Sequence, residues 1–571
     1  METWKKLTRN NLGNPSNLAI YLIFLLVLWL SYYFKFNKFG LYEDDYWIAG
    51  ISATSSFHDL LSFIKDNLLN LERNQGRYIA AFLPFIVAFI NFKIGGITAI
   101  YIFGILLVGF NAFLIFKIIG KKYPVEIAFL TGLIFVLYPG DTTKAFIVHI
   151  YHLQISLLFT LLGMLLYVND RKFFAYLMAF TSLMNYENAF LPFTMVPFLT
   201  RMKWDKILLK NLVKHFIIIG FFFVILYLIR RVVGENTITQ LKLDELIRRT
   251  FISFIAGPLT AALSFVMAAY EALLKFKETY YIVLVVCLLL IIVGILYPAL
   301  YKHSNGSAIT SFTLRPGKSI PEEHMILLKA MAIGIIITII GYSFAFPHYP
   351  PTTLKGRMTS VHFGATFGIS LLVASMIRFL FILKIKIIWN RLLIGMVLLL
   401  LSLCAGYGVL IQNDFVKSWN TQKTFWTNVI KECPDITENT LILVKQVNVP
   451  ETAYVVTYSW AYPLIFELLY DFPGTWERIP KLDILDTDFS DAIIYSNGNF
   501  IYKPKYPFLY DYQSEVNIEQ NNLILLKLDD QKLSRLTDTL FFIGGAKLDL
   551  KEVATSFQYP KNELYDFIIT E

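Results

Sequence analysis

The fold is decided by residues 18–34, LAIYLIFLLVLWLSYYF, an apolar run that no charged residue interrupts. Such a run predicts a membrane-spanning helix, since about 20 apolar residues in a helix cross the hydrocarbon layer. Lys5, Lys6 and Arg9 precede the run, and no small-residue cleavage site follows it. We therefore predict a retained first helix with a cytoplasmic amino terminus, rather than a removed signal peptide.

Composition places the rest of the chain in the same class. Of its 571 residues, 56% are hydrophobic and 16% are charged, whereas about 25% of a soluble domain is charged. The net charge of +9 comes mostly from short basic loops. We attribute this charge to membrane orientation rather than to nucleic-acid binding. No cysteines are paired at motif spacing, so neither a disulfide framework nor a thiolate metal site is implied. The three are Cys287, Cys404 and Cys433.

Further apolar runs in residues 1–411 predict a polytopic α-helical membrane protein. Placing every short basic loop in the cytoplasm gives about eleven spans and puts the carboxyl terminus outside. After the first span, the predicted spans are 97–116, 125–138, 147–167, 173–185, 190–199, 216–229, 281–300, 326–346, 363–383 and 392–411.

Three other segments are not counted among these spans. Residues 52–74 carry leucine and isoleucine at helical spacing and predict an amphipathic helix on the outer surface. Residues 79–90 are short for a span, and we expect them to be re-entrant or interfacial. Residues 251–270 contain Gly257-Pro258 and are long enough to span. The alternation of basic loops is kept only if residues 251–270 do not cross the membrane.

Residues 412–571 have a different composition, rich in Asp, Glu, Lys, Asn and Tyr. They predict one small α/β domain outside the cytoplasm, following the membrane domain at residues 1–411. A helix is expected near Trp419, and four short runs are typical of strands. These runs are residues 440–444, 453–457, 491–495 and 522–526.

The sequence YEDDYW at residues 42–47 holds three adjacent carboxylates just after the first helix. Carboxylates at a membrane surface are costly to desolvate and repel one another. They can hold a metal ion, position an acceptor hydroxyl or act as a general base. Three adjacent side chains cannot all point into one site. The sequence does not choose between Asp44 and Asp45, and Glu43 is the weakest candidate.

The predicted topology brings further polar side chains to the same outer face. Arginine offers a planar donor fork that matches a phosphate. A carboxylate can deprotonate an acceptor hydroxyl that attacks an anomeric carbon, or a divalent cation can neutralise the leaving phosphate. This face therefore suits a substrate with a lipid-linked phosphate. The side chains are Arg77, Asp141, Lys144, His149, His152, Glu187, Arg230, Arg231, His348, Lys355, Arg357 and His362.

Several of these residues have an ordinary structural alternative. Asp141 follows Pro-Gly and can be a turn residue, and Arg230 is expected to be interfacial. His149 and His152 are three residues apart, and we expect them to hydrogen-bond locally rather than to bind metal. Glu187 lies between apolar runs, where a carboxylate needs a partner.

The order of these features resembles the GT-C superfamily of membrane glycosyltransferases. This superfamily includes oligosaccharyltransferases, protein O-mannosyltransferases and the aminoarabinose transferases of lipid A. The resemblance rests on the acidic pair after the first helix, the amphipathic external helix, Gly76-Arg77-Tyr78 and the second acidic site at Pro139-Gly140-Asp141. It covers residues 1–411, and an external soluble domain often follows in this family.

The resemblance implies an inverting sugar transfer from a polyprenyl-phosphate carrier to an extracytoplasmic glycan, lipid or protein. By position, Asp44 or Asp45 would be the catalytic carboxylate, and Arg357 would hold the donor phosphate. If Mg²⁺ or Mn²⁺ takes part, Asp44 and Asp141 would be its ligands. The other substrate-binding residues would be Glu43, Arg77, Asp141, Glu187, His348 and Lys355.

The chain also departs from these relatives. It has no Trp-Trp-Asp-type acceptor motif in the external domain, and Glu-Asp-Asp replaces the Asp-Glu pair of the O-mannosyltransferases. Both departures weaken the case for a protein acceptor. A flippase for lipid-linked sugars and a metal-independent surface-polysaccharide polymerase or ligase remain alternatives. Transport predicts charge near the bilayer midplane, whereas charge here lies mainly at helix ends, which favours an enzyme. We expect a bacterial cytoplasmic membrane as the location.

Overall fold

The computed structural model describes most of the chain, with gaps mainly toward the carboxyl end. The described residues are 15–70, 75–200, 205–233, 243–302, 320–344, 351–382, 387–448, 452–458, 461–462, 465–472, 478–485, 493–496, 499–502, 516–519, 522–536, 542–543, 546–547 and 560–569.

The described part of residues 1–432 is almost entirely helical. The helices are α1 (Pro15–Leu28), α2 (Asp45–Thr54), α3 (Phe57–Leu69), α4 (Leu83–Ile119), α5 (Val125–Leu137), α6 (Ile155–Val168), α7 (Lys172–Asn185), α8 (Glu187–Phe190), α9 (Val196–Thr200), α10 (Lys206–Val232), α11 (Leu243–Leu274), α12 (Phe276–Lys302), α13 (Ile320–Ile340), α14 (Thr366–Ile382) and α15 (Ile387–Glu432). A short turn Ile147–His149 and a π-helical turn Ile150–Gln154 lead into α6, and a 3-10 helix, Arg357–Ala365, leads into α14.

Nine helices of the described chain are long and apolar enough to cross a membrane, which indicates an integral membrane protein. Of the roughly eleven spans that the sequence predicts, three correspond to short or divided helices in the structure. α5 has 13 residues and α7 has 14, while residues 187–200 are divided by the 3-10 turn Leu191–Met195. The segment 247–274, which the sequence prediction left out of the membrane, is one of the nine.

α4 joins two segments that the sequence analysis treated separately. Leu83–Ile119 consists of two helical segments with a non-helical break at Gly95 and Gly96, so the expected stretch 79–90 and the expected span 97–116 lie on opposite sides of this break. Gly96 has φ +60°, a left-handed conformation that glycine adopts at little cost. The helix therefore kinks where the sequence loses its side chains.

α11 has the composition of a span, and part of it contacts residues at the ends of two other helices. A Cβ added at Gly257 would lie 2.6 Å from the ring of Tyr342, just beyond the end of α13. Two turns later the ring of Phe265 lies 5.8 Å from that of Tyr138, the residue after α5. This stretch of α11 therefore packs beside the ends of α13 and α5.

The loop that carries Glu43 and Asp44, which we call the acidic loop, leads into two short helices, α2 and α3. Residues 57–69 form the amphipathic helix that the leucine spacing predicts, and it buries Leu60 and Ile64. Ser56 starts it with a capping box, in which its hydroxyl accepts from the Asp59 backbone while Asp59 accepts from the Ser56 backbone. This arrangement satisfies donors that a helix start leaves open.

The carboxyl-terminal part contains two small sheets, a two-stranded hairpin and two short helices. The main sheet has the order β2-β1-β6-β7, with β1 parallel to β2 and β6, and β7 antiparallel to β6. Three of the four predicted strand runs are confirmed; residues 453–457 form no strand. The elements are β1 (Leu441–Asn448), α16 (Ile465–Leu469), β2 (Lys481–Leu485), β3 (Ile493–Ser496), β4 (Asn499–Tyr502), β5 (Val516–Ile518), β6 (Leu523–Asp529), β7 (Lys532–Arg535), β8 (Phe542–Ile543), β9 (Ala546–Lys547) and α17 (Tyr565–Ile568).

α15 connects the two parts of the molecule without interruption. It has 46 residues, so the boundary expected between residues 411 and 412 falls inside a helix. Within it, Asp414 accepts hydrogen bonds from the backbone of Tyr454 at 2.7 Å and Val455 at 3.0 Å. Near Trp419, the chain at Gly40 approaches so closely that a Cβ would lie 1.8 Å from the indole. The carboxyl-terminal part is therefore packed onto the acidic loop.

Candidate functional site

Asp45 is a structural carboxylate at the start of α2. It is fully buried. Its two oxygens accept hydrogen bonds from the backbone amides of Tyr42 at 3.2 Å and Val148 at 2.9 Å. Burial raises the pKa of Asp45, and the backbone donors oppose that rise. Because both oxygens hold backbone amides, Asp45 fixes the acidic loop against the chain before α6, which argues against its predicted catalytic role.

Glu43 and Asp44 share one guanidinium. Glu43 Oε2 lies 2.6 Å from Arg357 Nε, and Asp44 Oδ2 lies 3.5 Å from Arg357 Nη2. The Glu43 side chain is completely buried, whereas 26% of the Asp44 side chain is exposed. Burial raises the pKa of Glu43 to about 8, although Arg357 lowers it in part. Asp44 is therefore the member of the triplet with an accessible carboxylate beside a cation.

The backbone explains why the three neighbouring carboxylates separate. Glu43 has φ +51°, a left-handed conformation that is uncommon outside glycine, and α2 begins two residues later. The turn sends Asp45 inward to the amides of Tyr42 and Val148 and leaves Asp44 at the surface. The side-chain directions could not be predicted from the sequence, because they depend on this backbone turn.

Asp141 begins a line of hydrogen bonds that ends at a histidine. Its Oδ1 accepts from the Thr143 backbone at 2.9 Å and from the Thr143 hydroxyl at 2.7 Å. The same hydroxyl lies 2.7 Å from His149 Nδ1. Burial raises the pKa of Asp141, while Thr143, Lys144 and Arg357 lower it in part. Asp141 is thus more than an isolated turn residue.

Lys144 caps α5. Its Nζ donates to the carbonyls of Val136 at 3.0 Å and of Tyr138, and it lies 4.1 Å from the ring centroid of Tyr32. A cation is favourable at a helix carboxyl end. Burial lowers the pKa of Lys144 to about 7, with Asp141 opposing the change. Its contacts explain Lys144 as a structural residue.

Two threonines join the Asp141 loop to the Arg357 helix. The Thr142 backbone donates to the Thr359 hydroxyl at 3.0 Å, and the two hydroxyls lie 2.9 Å apart. The Gly356 carbonyl accepts from Thr359 at 2.7 Å and from Thr142 at 3.2 Å. These hydrogen bonds therefore hold the Asp141 loop and the Arg357 helix together at this end of the bundle, which we call the acidic end.

Glu187 has the partner that its sequence context requires. It accepts from Arg77 at 2.8 and 3.2 Å in a bidentate pair, and it also pairs with Arg230. Burial raises the pKa of Glu187, but the two guanidiniums outweigh burial and lower it overall. Arg77 also stacks 4.7 Å from the ring centroid of Tyr186. The three charged side chains carry a formal excess of one positive charge.

The Glu187 cluster is close to the Arg357 helix. A Cβ added at Gly364 would lie 3.2 Å from the Asn188 carbonyl, so the residue after Glu187 touches the 3-10 helix that begins at Arg357. Asn185 donates to the His152 carbonyl at 3.0 Å, one turn beyond His149. The structure thus gathers Glu43, Asp44, Asp45, Arg77, Asp141, Glu187 and Arg357 at one end.

One predicted substrate-binding residue, Lys355, has its contacts outside this group. Lys355 pairs with Glu271 of α11 and lies 5.8 Å from the ring centroid of Tyr454, so it links α11 to the carboxyl-terminal part. His348 lies outside the described residues. His362 uses both ring nitrogens, with the Tyr342 hydroxyl at 2.6 Å and the Thr353 carbonyl at 2.9 Å.

The two residues predicted to hold a metal ion have other partners in the structure. The described residues contain no group of three His, Cys, Asp or Glu side chains that could hold one. Of the two predicted ligands, Asp44 lies beside Arg357, and one oxygen of Asp141 is bonded to Thr143. We therefore derive no step through a metal.

Sequence reasoning missed the roles of two residues, Arg230 and Thr143. Arg230 looked interfacial because it ends an apolar helix, yet it completes the Glu187 pair. Thr143 carries no signal by residue type, although its position two residues after Asp141 suits a side-chain-to-backbone turn. His149 was expected to hydrogen-bond locally and does so, through one nitrogen.

Comparison with known proteins adds no assignment. No family model, no curated protein and no solved structure matches the chain.

Proposed function

We propose that this protein is a membrane glycosyltransferase that moves a sugar from a polyprenyl-phosphate carrier to an acceptor hydroxyl. The observation that carries the proposal is the pairing of the partly exposed Asp44 with Arg357, on a helix locked to the Asp141 loop. A carboxylate next to a guanidinium gives adjacent sites for a hydroxyl and for a phosphate.

The charges suit a phosphate that leaves with an added negative charge. Arg357 contacts Glu43 and Asp44, and 19% of its side chain is exposed. Arg77 and Arg230 around Glu187 supply a further net positive charge on the neighbouring elements. Fixed cations aimed at developing charge are the main source of catalysis in phosphate departure. In this proposal Asp44 binds the acceptor hydroxyl and Arg357 binds the donor phosphate.

The test is Asp44→Asn in purified protein reconstituted into lipid vesicles. The probes are radiolabelled polyprenyl-phosphate monosaccharides, with delipidated envelope extract as acceptor. We expect a loss of at least about 100-fold in kcat/KM, because the substitution removes the charge that contacts the reacting hydroxyl. Asp66→Asn on the exposed face of α3 is the matched control and should transfer normally.

Three results would count against the proposal. Normal transfer by Asp44→Asn would remove Asp44 from the chemistry. Movement of the labelled lipid across the vesicle without any transfer would favour the flippase. Loss of transfer in chelator, restored by Mg²⁺ or Mn²⁺, would require the metal step that we leave out.

A further inference from the structure

His149 differs from the other well-bonded histidines in how its ring is used. His215 contacts the Tyr176 hydroxyl at 2.9 Å and the Phe193 carbonyl at 3.1 Å, and His362 likewise uses both nitrogens. His149 uses Nδ1 alone, toward the hydroxyl and carbonyl of Thr143. Within the described chain, its Nε2 has no hydrogen-bond partner. The ring is thus oriented by one nitrogen, and the second is left for another group.

The hydrogen bonds around Thr143 determine the tautomer. Ionised Asp141 can only accept, so the Thr143 hydroxyl gives its proton to Asp141 Oδ1. That hydroxyl must then accept from His149, which places a proton on Nδ1. The Thr143 carbonyl, 3.3 Å from the same nitrogen, also can only accept. A neutral His149 therefore presents an unprotonated Nε2.

The ring is also held in place by its surroundings. Its centroid lies 5.4 Å from the ring centroid of Phe146. The preceding residue, Val148, donates a backbone hydrogen bond to Asp45. The hydrogen bonds between Thr142 and Thr359 hold the Asp141 loop against the Arg357 helix. An imidazole fixed in one tautomer by a third group is the arrangement that general-base catalysis needs.

We propose that His149 is the general base of the proposed transfer, with Thr143 and Asp141 as positioning residues. The inference rests on the proposed function. The acceptor O–H bond breaks as the acceptor oxygen bonds the anomeric carbon, and Nε2 takes the proton. The bond from the anomeric carbon to the phosphate oxygen breaks, and its electron pair leaves with the lipid phosphate. His149 then returns its proton to that phosphate or to water, while Asp44 orients the hydroxyl.

The first test uses transfer kinetics with the full-length protein and the labelled lipids above. His149→Asn retains an amide donor near Thr143 but has no Nε2, so kcat should fall about 100-fold or more while KM stays within about threefold. Thr143→Val removes the positioning hydroxyl and should lower kcat at unchanged KM. Thr143→Ser restores the hydroxyl and should restore kcat to within about threefold.

The second test measures the free nitrogen without relying on transfer. Diethyl pyrocarbonate acylates unprotonated imidazole nitrogen, and mass spectrometry locates the product. We expect His149 to react at least about tenfold faster than His215 and His362 in the same sample.

The outcomes separate the two proposals. Normal kcat in His149→Asn, or a His149 as resistant as His362 in a protein that transfers sugar, overturns the base assignment alone. Absence of transfer by the wild-type protein from every lipid-linked sugar overturns the proposed function and the catalytic role with it, whatever the labelling shows.

Discussion

At the scale of single residues, Asp44 and Asp45 are adjacent in sequence but differ in burial and in bonding partners. Asp45 accepts two backbone amides in the interior, whereas Asp44 is partly exposed beside Arg357. The same chemical change should therefore have opposite consequences at the two positions. At Asp44 it should remove transfer, and at Asp45 it should remove stability.

Asp45→Asn tests this difference directly. An amide keeps one acceptor oxygen but turns an N–H₂ toward a backbone N–H, so one buried hydrogen bond is lost. We expect the free energy of unfolding to fall by about 1–3 kcal/mol. Thermal unfolding in detergent, compared with Asp66→Asn, gives the measurement. An inactive Asp45→Asn with unchanged unfolding would return Asp45 to the chemistry.

At the scale of elements, the contact between the acidic loop and α15 positions the site. Gly40 lies under Trp419, and a Cβ there would be 1.8 Å from the indole. Gly40 N donates to the Tyr42 hydroxyl at 3.0 Å, which in turn donates to the Phe415 carbonyl at 2.9 Å. The first loop and α15 therefore cannot move independently.

Gly40→Ala should disturb this contact. We expect a loss of about 1–3 kcal/mol in unfolding free energy, because neither backbone nor indole can yield without repacking. Gly220→Ala in α10 is the matched control, since nothing lies within 4 Å of its added Cβ. That control should be neutral or stabilising by up to about 1 kcal/mol. Equal stability of the two variants would contradict the close contact.

At the scale of the whole molecule, the carboxyl-terminal part supports the membrane part. The Tyr46 hydroxyl donates to Gln422 at 2.5 Å, and Tyr462 donates to the same oxygen at 3.1 Å. Leu468 of α16 lies where a Cβ of Gly50 would be, at 2.4 Å. α2, which follows the acidic loop, is thus packed against both α15 and the part of the chain that follows α15.

Removal of residues 433–571 should therefore destabilise more than the piece removed. We expect the truncated protein to unfold at lower temperature and its acidic loop to become sensitive to protease, because Gln422 and α2 lose their partners. Asp414→Asn in the full chain should show a smaller shift in the same direction. A truncated protein as stable and protease-resistant as the full chain would show that the two parts are independent.

Much of this architecture could be predicted from the sequence, since apolar runs and strand patterns are local signals. The two spans predicted within residues 173–199 correspond to helices that are short or broken, although the composition there is apolar. Gathering of Glu43, Asp141 and Arg357 at one end followed from the predicted helix order. The direction of each side chain did not, because a left-handed turn at Glu43 and a hydroxyl at Thr143 determine it.

The uninterrupted α15 sets a dimension of the molecule. With 46 residues at about 1.5 Å each, it extends about 69 Å, more than twice the roughly 30 Å of a bilayer's hydrocarbon. Trp419 and Gln422 stand on the part beyond the apolar run, where they meet Gly40 and Tyr46. The length of α15 therefore sets the position of these contacts. The number of residues between the apolar run of α15 and Trp419 sets the distance between that run and the acidic loop, and inserting one residue there would shift and rotate these contacts.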